Sequence, residues 1–458
     1  MCFAVSKSPP VMVRPSTEPV LLPGQTTATQ VVQLSSWDTS YLDFVATALL
    51  VFDGSVHQPV EAIKKGLSRA LSHYHTVAGR LAAAADEDGV LLHVACTGEG
   101  VPFVAASAGC ALQDHGLLHA PFSTTLLDDL AVYYPAPEGC RSTDPMLLMQ
   151  VTEFACGGFT VGVTWNHMLA DATGIAQFLQ AVGELTRAEA DASVPSVKPV
   201  RDGRAVSLPL LSPPVVAAKQ SLMLELGGQN LVYLDIIVPL KLIDRIKSDY
   251  KAAHSGDAGY CTTFEATAAV IWRCRTRAII GDDPDGYDMS TPAPLAFVVD
   301  VRKHVGVVAG YYGNCVVAQL AFATTGEVAG AGDDGMNGLV DVIKRAKDGV
   351  PELLRGMRAG GCVVDGMGEE EIAAAFGYNA LMVTSWRNIR FDDADFGGGG
   401  PARVVARWQQ STLPCMALLS CRAATAADGE RLLTQCVKAE HAAALLAELD
   451  QLAHASCA

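Results

Sequence analysis

No Cys-x-x-Cys pair occurs in this chain, although it holds 13 cysteines scattered from Cys2 to Cys457. An odd, unpaired set indicates neither a zinc site nor a disulfide framework, and it reads as buried small hydrophobes in a reducing compartment. Charge is also scarce. Only 18% of the 458 residues are charged, and 33 Lys plus Arg face 49 Asp plus Glu, a net charge of −16. So acidic a protein is a poor ligand for nucleic acid or an anionic membrane, and any anionic co-substrate must be met by a local cluster of donors. No apolar run reaches membrane-spanning length, and the N-terminal "MCFAVSKSPPVMVRPSTEPV" lacks a signal-type core. A soluble, cytoplasmic protein is expected. Also missing are GxSxG, Walker A and a GxGxxG that opens a helix, which removes the hydrolase elbow and the phosphate loops of nucleotide and dinucleotide enzymes.

What is present is a well-cored α/β chain. Half of its residues are hydrophobic, and its length exceeds the size at which single cores divide, so two domains are expected. Strands are predicted over Tyr41 to Phe52, "GVLLHVAC", "FTVGVTW", Leu231 to Pro239, "LAFVVDV", "NCVVAQLAFA", "ALMVTSW" and "CMALLSCR". Helices are predicted at "PVEAIKKGLSRALSHY", from Thr173, at "LKLIDRIKSDY", after Cys261 with Thr262 or Thr263 as the N-cap, and near "EHAAALLAELDQLAHA". Ala78 to Leu81 reads as a turn, and "AGAGDDGMNG" and "DFGGGGP" read as exposed loops. A proline-bearing stretch without periodicity, 190–214, reads as a crossover linker. The expected division is therefore 1–189, 190–214 and 215–458.

The stretch "VGVTWNHMLADATG", Val161 to Gly174, holds the most chemistry. An apolar run stops at His167, Asp171 follows, and Ile175, Phe178, Leu179, Val182 and Leu185 then mark a helix face. A strand-to-helix handover fixes a loop at both ends and suits chemistry. His167 and Asp171 are spaced for two metal ligands, but no third ligand is signalled, so no metal site is expected. What remains is a histidine general base with no protein nucleophile. Asp171 either orients that histidine or holds the loop through an arginine.

These residues resemble the plant BAHD acyl-CoA-dependent acyltransferases, whose two signatures are HxxxD and DFGWG. "HMLAD" spans His167 to Asp171. The second signature stands as "DADFGGG", with Asp395, Phe396, Gly397 and Gly399 matching and Gly398 in place of the Trp. "HTVAGRL", "TTFEATAAVIWRCRT", "VVDVRKH", "YYGNCV" and "VTSWRNIRFDDADFG" extend the likeness over nearly the whole chain. The resemblance implies two α/β domains like chloramphenicol acetyltransferase, with a solvent channel between them. It implies acyl-CoA as a co-substrate, no permanently bound cofactor, a small-molecule acceptor and a monomer.

By the same resemblance His167 is the base, Asp171 is structural and pairs with Arg302, and Asp395, Phe396 and Gly397 are structural or shape the CoA side. Thr263 and Ser385 are assigned to CoA binding, and Trp37, Tyr41 and Trp386 to the substrate pocket. Loss of the Trp at Gly398 is expected to loosen that loop. Ala172 after the first signature and "YYGNCV" resemble the benzyl alcohol benzoyltransferase and taxane acyltransferase subgroup, whereas "SWRNIR" lacks SWxRLP. The expected activity is transfer of an aromatic acyl group, benzoyl or hydroxycinnamoyl, to a hydroxyl. An amine acceptor is one alternative, and a non-catalytic binding protein of the same shape is the other.

Overall fold

The computed structural model of the chain describes residues 4–17, 30–42, 44–86, 89–118, 124–135, 143–189, 194–201, 231–254, 256–281, 287–330, 334–359, 367–375, 377–408, 416–419 and 429–455. Most of the predicted linker, 190–193 and 202–214, lies outside them. Two large sheets carry the fold. The first runs in the order Val5–Lys7, Val101–Ala108, Leu147–Phe154, Phe159–Asn166, Val45–Phe52 and Arg403–Trp408, with Val11–Val13 also on Val101–Ala108. The second runs Leu231–Pro239, Gly429–Lys438, Met416–Leu419, Leu381–Ser385, Leu295–Asp300 and Val316–Ala321. A small third sheet joins Val31–Gln33, Gly89–Ala95 and Arg80–Asp86. Among the described residues no helix is long and apolar enough to cross a membrane.

The central strands of the first sheet are apolar on both faces because both faces are covered. Val45–Phe52 and Phe159–Asn166 are buried at every position. Pro59–Leu71 begins with its proline in the first turn, where no donor is lost, and buries Ile63, Leu67, Ala70 and Leu71. Ala172–Arg187 turns inward the face predicted for it, Ile175 to Leu185. In the second half, Thr263–Ile280 is buried almost all round, as a helix wrapped by a sheet and other helices must be. Its start is a capping box in which Thr262 accepts from the Glu265 amide and Glu265 accepts from the Thr262 amide. Thr262, not Thr263, is therefore the cap.

Four expectations are corrected. Tyr41 and Leu42 belong to a turn, and the strand begins at Val45, because the Tyr41 and Phe44 amides bond back to the Asp38 and Tyr41 carbonyls. Arg80 and Leu81 already belong to a strand. The glycine-bearing "AGAGDDGMNG" is partly helical, since Asp334–Asp348 starts inside it and buries Met336 and Leu339. The fourth concerns the domains. Segment 215–458 is not one structural unit, because Arg403–Trp408 leaves the second sheet and pairs antiparallel with Val45–Phe52. Trp386, Phe391, Ala394, Phe396 and Val404 to Ala406 pack in the first core. The open edge of Val45–Phe52 offers ladder partners that this apolar strand needs. Asp235 of the second sheet clamps the exchange, accepting from Arg403 at 2.7 Å and from Arg431 at 2.6 Å.

Candidate active site

The strand Phe159–Asn166 ends by its own side-chain chemistry. Asn166 Oδ1 accepts from the Met168 amide at 2.9 Å, and Trp165 Nε1 donates to the Ala170 carbonyl at 3.0 Å. This tight turn presents His167, whose amide is tied to the Phe44 carbonyl at 2.9 Å. The half-buried imidazole lies 4.1 Å from the Tyr41 ring and 5.1 Å from the Phe44 ring, centroid to centroid. Burial lowers its pKa to about 4, against the opposing pull of Asp171 and Asn314. At neutral pH the ring is therefore uncharged and able to accept a proton. Burial, aided by Asp171 and Asp38, raises the Tyr41 phenol well above its ordinary value, so it stays neutral and can donate but not act as a base.

Asp171 turns to backbone and to an arginine. One oxygen accepts from the Gly174 amide at 3.0 Å, capping Ala172–Arg187, and from Arg302 at 2.8 Å. The other accepts from the Cys315 amide at 2.9 Å. Arg302 also bonds Asp300 at 3.0 Å and the Gly313 carbonyl at 2.9 Å. Burial opposes its charge, but Asp171 outweighs burial and holds the guanidinium protonated. The pair joins the first sheet's His167 loop to the end of Leu295–Asp300 in the second.

The second signature sits elsewhere. Phe396 packs against Phe52 at 5.3 Å and Phe159 at 6.4 Å. Val45 pairs with Asn166 and Phe52 with Phe159, so these rings mark the opposite end of the strands from His167. Seven residues of strand separate the two ends, about 23 Å. Asp395 folds the loop by accepting from the Gly397 amide at 2.7 Å and the Gly399 amide at 2.9 Å. Gly397 has φ +122°, a region that requires glycine. The backbone of Gly398 rests on Gly54, where a Gly54 Cβ would meet the Gly398 carbonyl oxygen at 2.4 Å. The expected looseness is thus countered by these bonds and this close approach.

Of the three pocket aromatics, only Tyr41 borders His167. Trp37 is 1% exposed in a small core with Val301, Tyr311 and Leu354, and Trp386 is buried against Phe391 at 5.0 Å. Both are core residues, a correction that follows from their apolar surroundings. Ser385 ends the strand that runs parallel to Leu295–Asp300, at the edge from which Arg302 reaches Asp171, and its hydroxyl lies 3.4 Å from the Arg387 amide. Thr263 Oγ1 accepts from Lys247 Nζ at 2.7 Å at the start of its helix. Sequence reasoning missed Phe44, Asp38, Arg201 and Asn314. The last stands within "YYGNCV", the first within the misread strand, and Arg201 inside the proline-bearing linker.

Two α/β sheets are thus joined by a buried Asp–Arg pair beside an uncharged histidine with aromatic walls. The chain belongs to the Transferase family, the BAHD acyl-CoA-dependent acyltransferases, which it matches over residues 11–424. It is 37% identical over 461 residues to "Acyl transferase 15" of Oryza sativa subsp. japonica, covering 99% of each chain. It is 30% identical over 466 residues to a myricetin 3-O-glucosyl 1,2-rhamnoside 6'-O-caffeoyltransferase of Crocosmia x crocosmiiflora, covering 98% of this chain and 99% of that one. In fold it is similar to vinorine synthase, with TM-score 0.69, 20% identity and 98% of each chain covered.

Proposed function

We propose that this enzyme transfers an aromatic acyl group from its CoA thioester to a hydroxyl of a small specialised metabolite, with His167 as the general base. The observation that carries the reading is the uncharged, half-buried imidazole of His167 lying 4.1 Å from the face of Tyr41. A flat aromatic acyl group suits such a wall, because ring stacking adds to the burial of area. The 30% identity to a caffeoyltransferase supports the same donor class and a hydroxyl acceptor.

In the reaction the acceptor oxygen attacks the thioester carbonyl carbon while an imidazole nitrogen of His167 takes the hydroxyl proton. The tetrahedral intermediate then expels the CoA sulfur, which receives that proton, giving ester and free CoA. No acyl-enzyme is needed. Cys315, the thiol beside this network, is pushed up to about 12 by burial and by Asp171, so it is not a thiolate nucleophile. Asp171 and Arg302 hold the loop, and the Asp395 loop holds the fold at the far end of the strands. The proposed contact for the CoA phosphates is the start of Thr263–Ile280, where Lys247 and Thr263 supply donors next to a helix N-terminus.

A mass-spectrometric screen of acyl-CoAs against pooled alcohols and amines tests the reading. Esters formed from benzoyl- or hydroxycinnamoyl-CoA are expected. Amide products would move the acceptor class. CoA binding without turnover of any donor would favour the binding-protein alternative.

A further inference from the structure

We infer that Arg201, carried by the crossover segment, is a positioning residue for the His167 turn, which it and Asn314 hold from one shared carboxylate oxygen of Asp38. The inference rests on His167 being the base and adds what fixes the backbone that carries it. Pro195 and Pro199 break any helix here and favour an extended path for the residues before them. Val200 lies beside Tyr311 as an isolated parallel bridge. Its amide donates to the Gly310 carbonyl at 2.9 Å, and its carbonyl accepts from the Tyr312 amide at 3.1 Å. Gly310 admits this approach, since a Cβ there would meet the Lys198 carbonyl oxygen at 2.1 Å. Arg201, the next residue, is thereby delivered into the interior, with 4% side-chain exposure.

The carboxylate it meets is fully buried. Asp38 Oδ2 accepts from the Ser35 amide at 2.8 Å and the Ser35 hydroxyl at 2.7 Å. Asp38 Oδ1 accepts from the Asn314 backbone amide at 3.3 Å, from Asn314 Nδ2 at 2.9 Å and from Arg201 Nη2 at 2.9 Å. The two side chains that meet on Oδ1 each use a second proton on the turn that bears the base. Asn314 Nδ2 donates to the His167 carbonyl at 2.8 Å, and Arg201 Nη2 donates to the Met168 carbonyl at 3.3 Å. The His167 amide is tied to the Phe44 carbonyl at 2.9 Å, so this residue is gripped at both ends of its backbone and again at the next peptide. On the other flank the Cys315 amide serves Asp171, so the neighbouring amides of Asn314 and Cys315 go to two different carboxylates.

A carboxylate so deep needs a cation, and Arg201 supplies it. The pair is nonetheless poorly built for stability alone. Arg201 Nε and Nη1 are buried without an acceptor, and the guanidinium carbon lies 6.0 Å from the ring centroids of both Tyr311 and Tyr312. Buried N–H groups left unpaired are costly, and apolar side chains of similar volume often replace a buried ion pair at no loss of stability. What apolar side chains cannot supply is a donor to the Met168 carbonyl and a charge that balances Asp38 while Asn314 is held. The construction favours position over stability.

Proton NMR of the full chain at neutral pH reads the place of the ring without any substrate. The His167 Cε1 proton, assigned by its loss in His167→Ala, should be displaced in the wild type by the Tyr41 ring, 4.1 Å away. In Arg201→Met it should move toward the position of an unstacked imidazole, and the melting temperature should fall. With the fastest donor and acceptor of the acyl-CoA screen, kcat should drop by about a hundredfold, the scale of a displaced catalytic group, with the donor KM within about twofold. That variant leaves Asp38 without its cation, so the second arm combines Arg201→Met with Asp38→Asn and removes both charges. The double variant should regain the melting temperature but neither the wild-type resonance nor kcat. An unmoved His167 resonance in Arg201→Met would overturn the inference. So would a double variant whose resonance or kcat returns with its stability, since the pair would then only support the fold. Failure of the base reading shows separately, as turnover retained by His167→Ala.

Discussion

The strands Val45–Phe52 and Phe159–Asn166 run side by side through the first core and carry an aromatic cluster at each end. At one end Tyr41 and Phe44 enclose His167; at the other Phe52 and Phe159 enclose Phe396. Each cluster has its aspartate, and each aspartate folds a loop by accepting two backbone amides, Asp171 from Gly174 and Cys315, Asp395 from Gly397 and Gly399. The ends differ in two respects. Only the first presents a titratable ring with a buried, unpaired nitrogen. Only the first has its aspartate buried with an arginine, at 3% and 15% side-chain exposure for Asp171 and Arg302, whereas Asp395 and Arg187 are 35% and 39% exposed. One signature is held by a buried ion pair, and the other by backbone bonds at a partly exposed loop. Gly398 is therefore tolerable where a tryptophan is the pattern, because what the far end requires is the path of the chain.

The largest break in this comparison should come from His167→Ala, with turnover lowered by at least about a hundredfold and the fold retained. Steady-state rates and a melting curve decide it, and near-normal turnover would sink the mechanism. The pH profile sharpens it. A base with a pKa of about 4 is neutral above that pH, so kcat should hold through pH 5–6 and fall only near pH 4, not near 6.5. An acid limb near 6.5 would show an imidazole that water reaches freely.

The buried ion pair comes next. Asp171→Ala or Arg302→Ala leaves the other charge uncompensated, a loss of about 3–5 kcal/mol in unfolding free energy, read by denaturant titration. Activity should fall with stability. An Asp171→Asn protein with unchanged melting and lost activity would instead assign Asp171 to orienting His167.

Much of this was readable from residues alone, and the reasons are local. A β-branched run, a stop at His167 and an apolar helix face from Ile175 to Leu185 are short-range signals, and they led to the strand, the turn and the helix. The Arg302 partnership came through the family likeness, since nothing at 171 or 302 announces a contact across 131 residues of chain. The exchange of Arg403–Trp408 into the first sheet left no trace in composition, because an apolar strand reads the same whichever edge it joins. Asn314 was hidden differently. An asparagine between Gly313 and Cys315 looks like a turn residue, and only the fold shows that its amide bonds Asp38 and the His167 carbonyl. Trp37 and Trp386 misled for the converse reason, since aromatic side chains that fill a core and those that line a pocket are written alike.

At the architectural end the effect should be smaller. Asp395→Ala removes two acceptor contacts to backbone amides at a partly exposed loop, worth about 1–2 kcal/mol of stability, the scale of a lost cap. With His167, the proposed base, about 23 Å away along the strands, kcat should stay within about twofold. A large fall in kcat with unchanged melting would show that the second signature does reach the chemistry.

The smallest expected effect belongs to neither end, and it tests whether the co-substrate is held apart from both. A chain of net charge −16 repels an anion at long range, so CoA phosphates must be met by local donors. Thr263 is free of capping duty, which Thr262 performs, and its hydroxyl oxygen instead accepts a hydrogen bond from Lys247 at 2.7 Å. That pairing holds an ammonium at the positive end of a helix of 18 residues, where a phosphate gains from both charge and helix dipole. A neutral hydroxyl contributes about 0.5–1.5 kcal/mol net, so Thr263→Ala should raise the donor KM about twofold to twelvefold. Phosphate contacts act alike on ground and transition states, so kcat should barely move, and the acceptor KM should stay fixed. A Thr263→Ala protein with lower melting temperature and unchanged donor KM would leave Thr263 a structural partner of Lys247 alone.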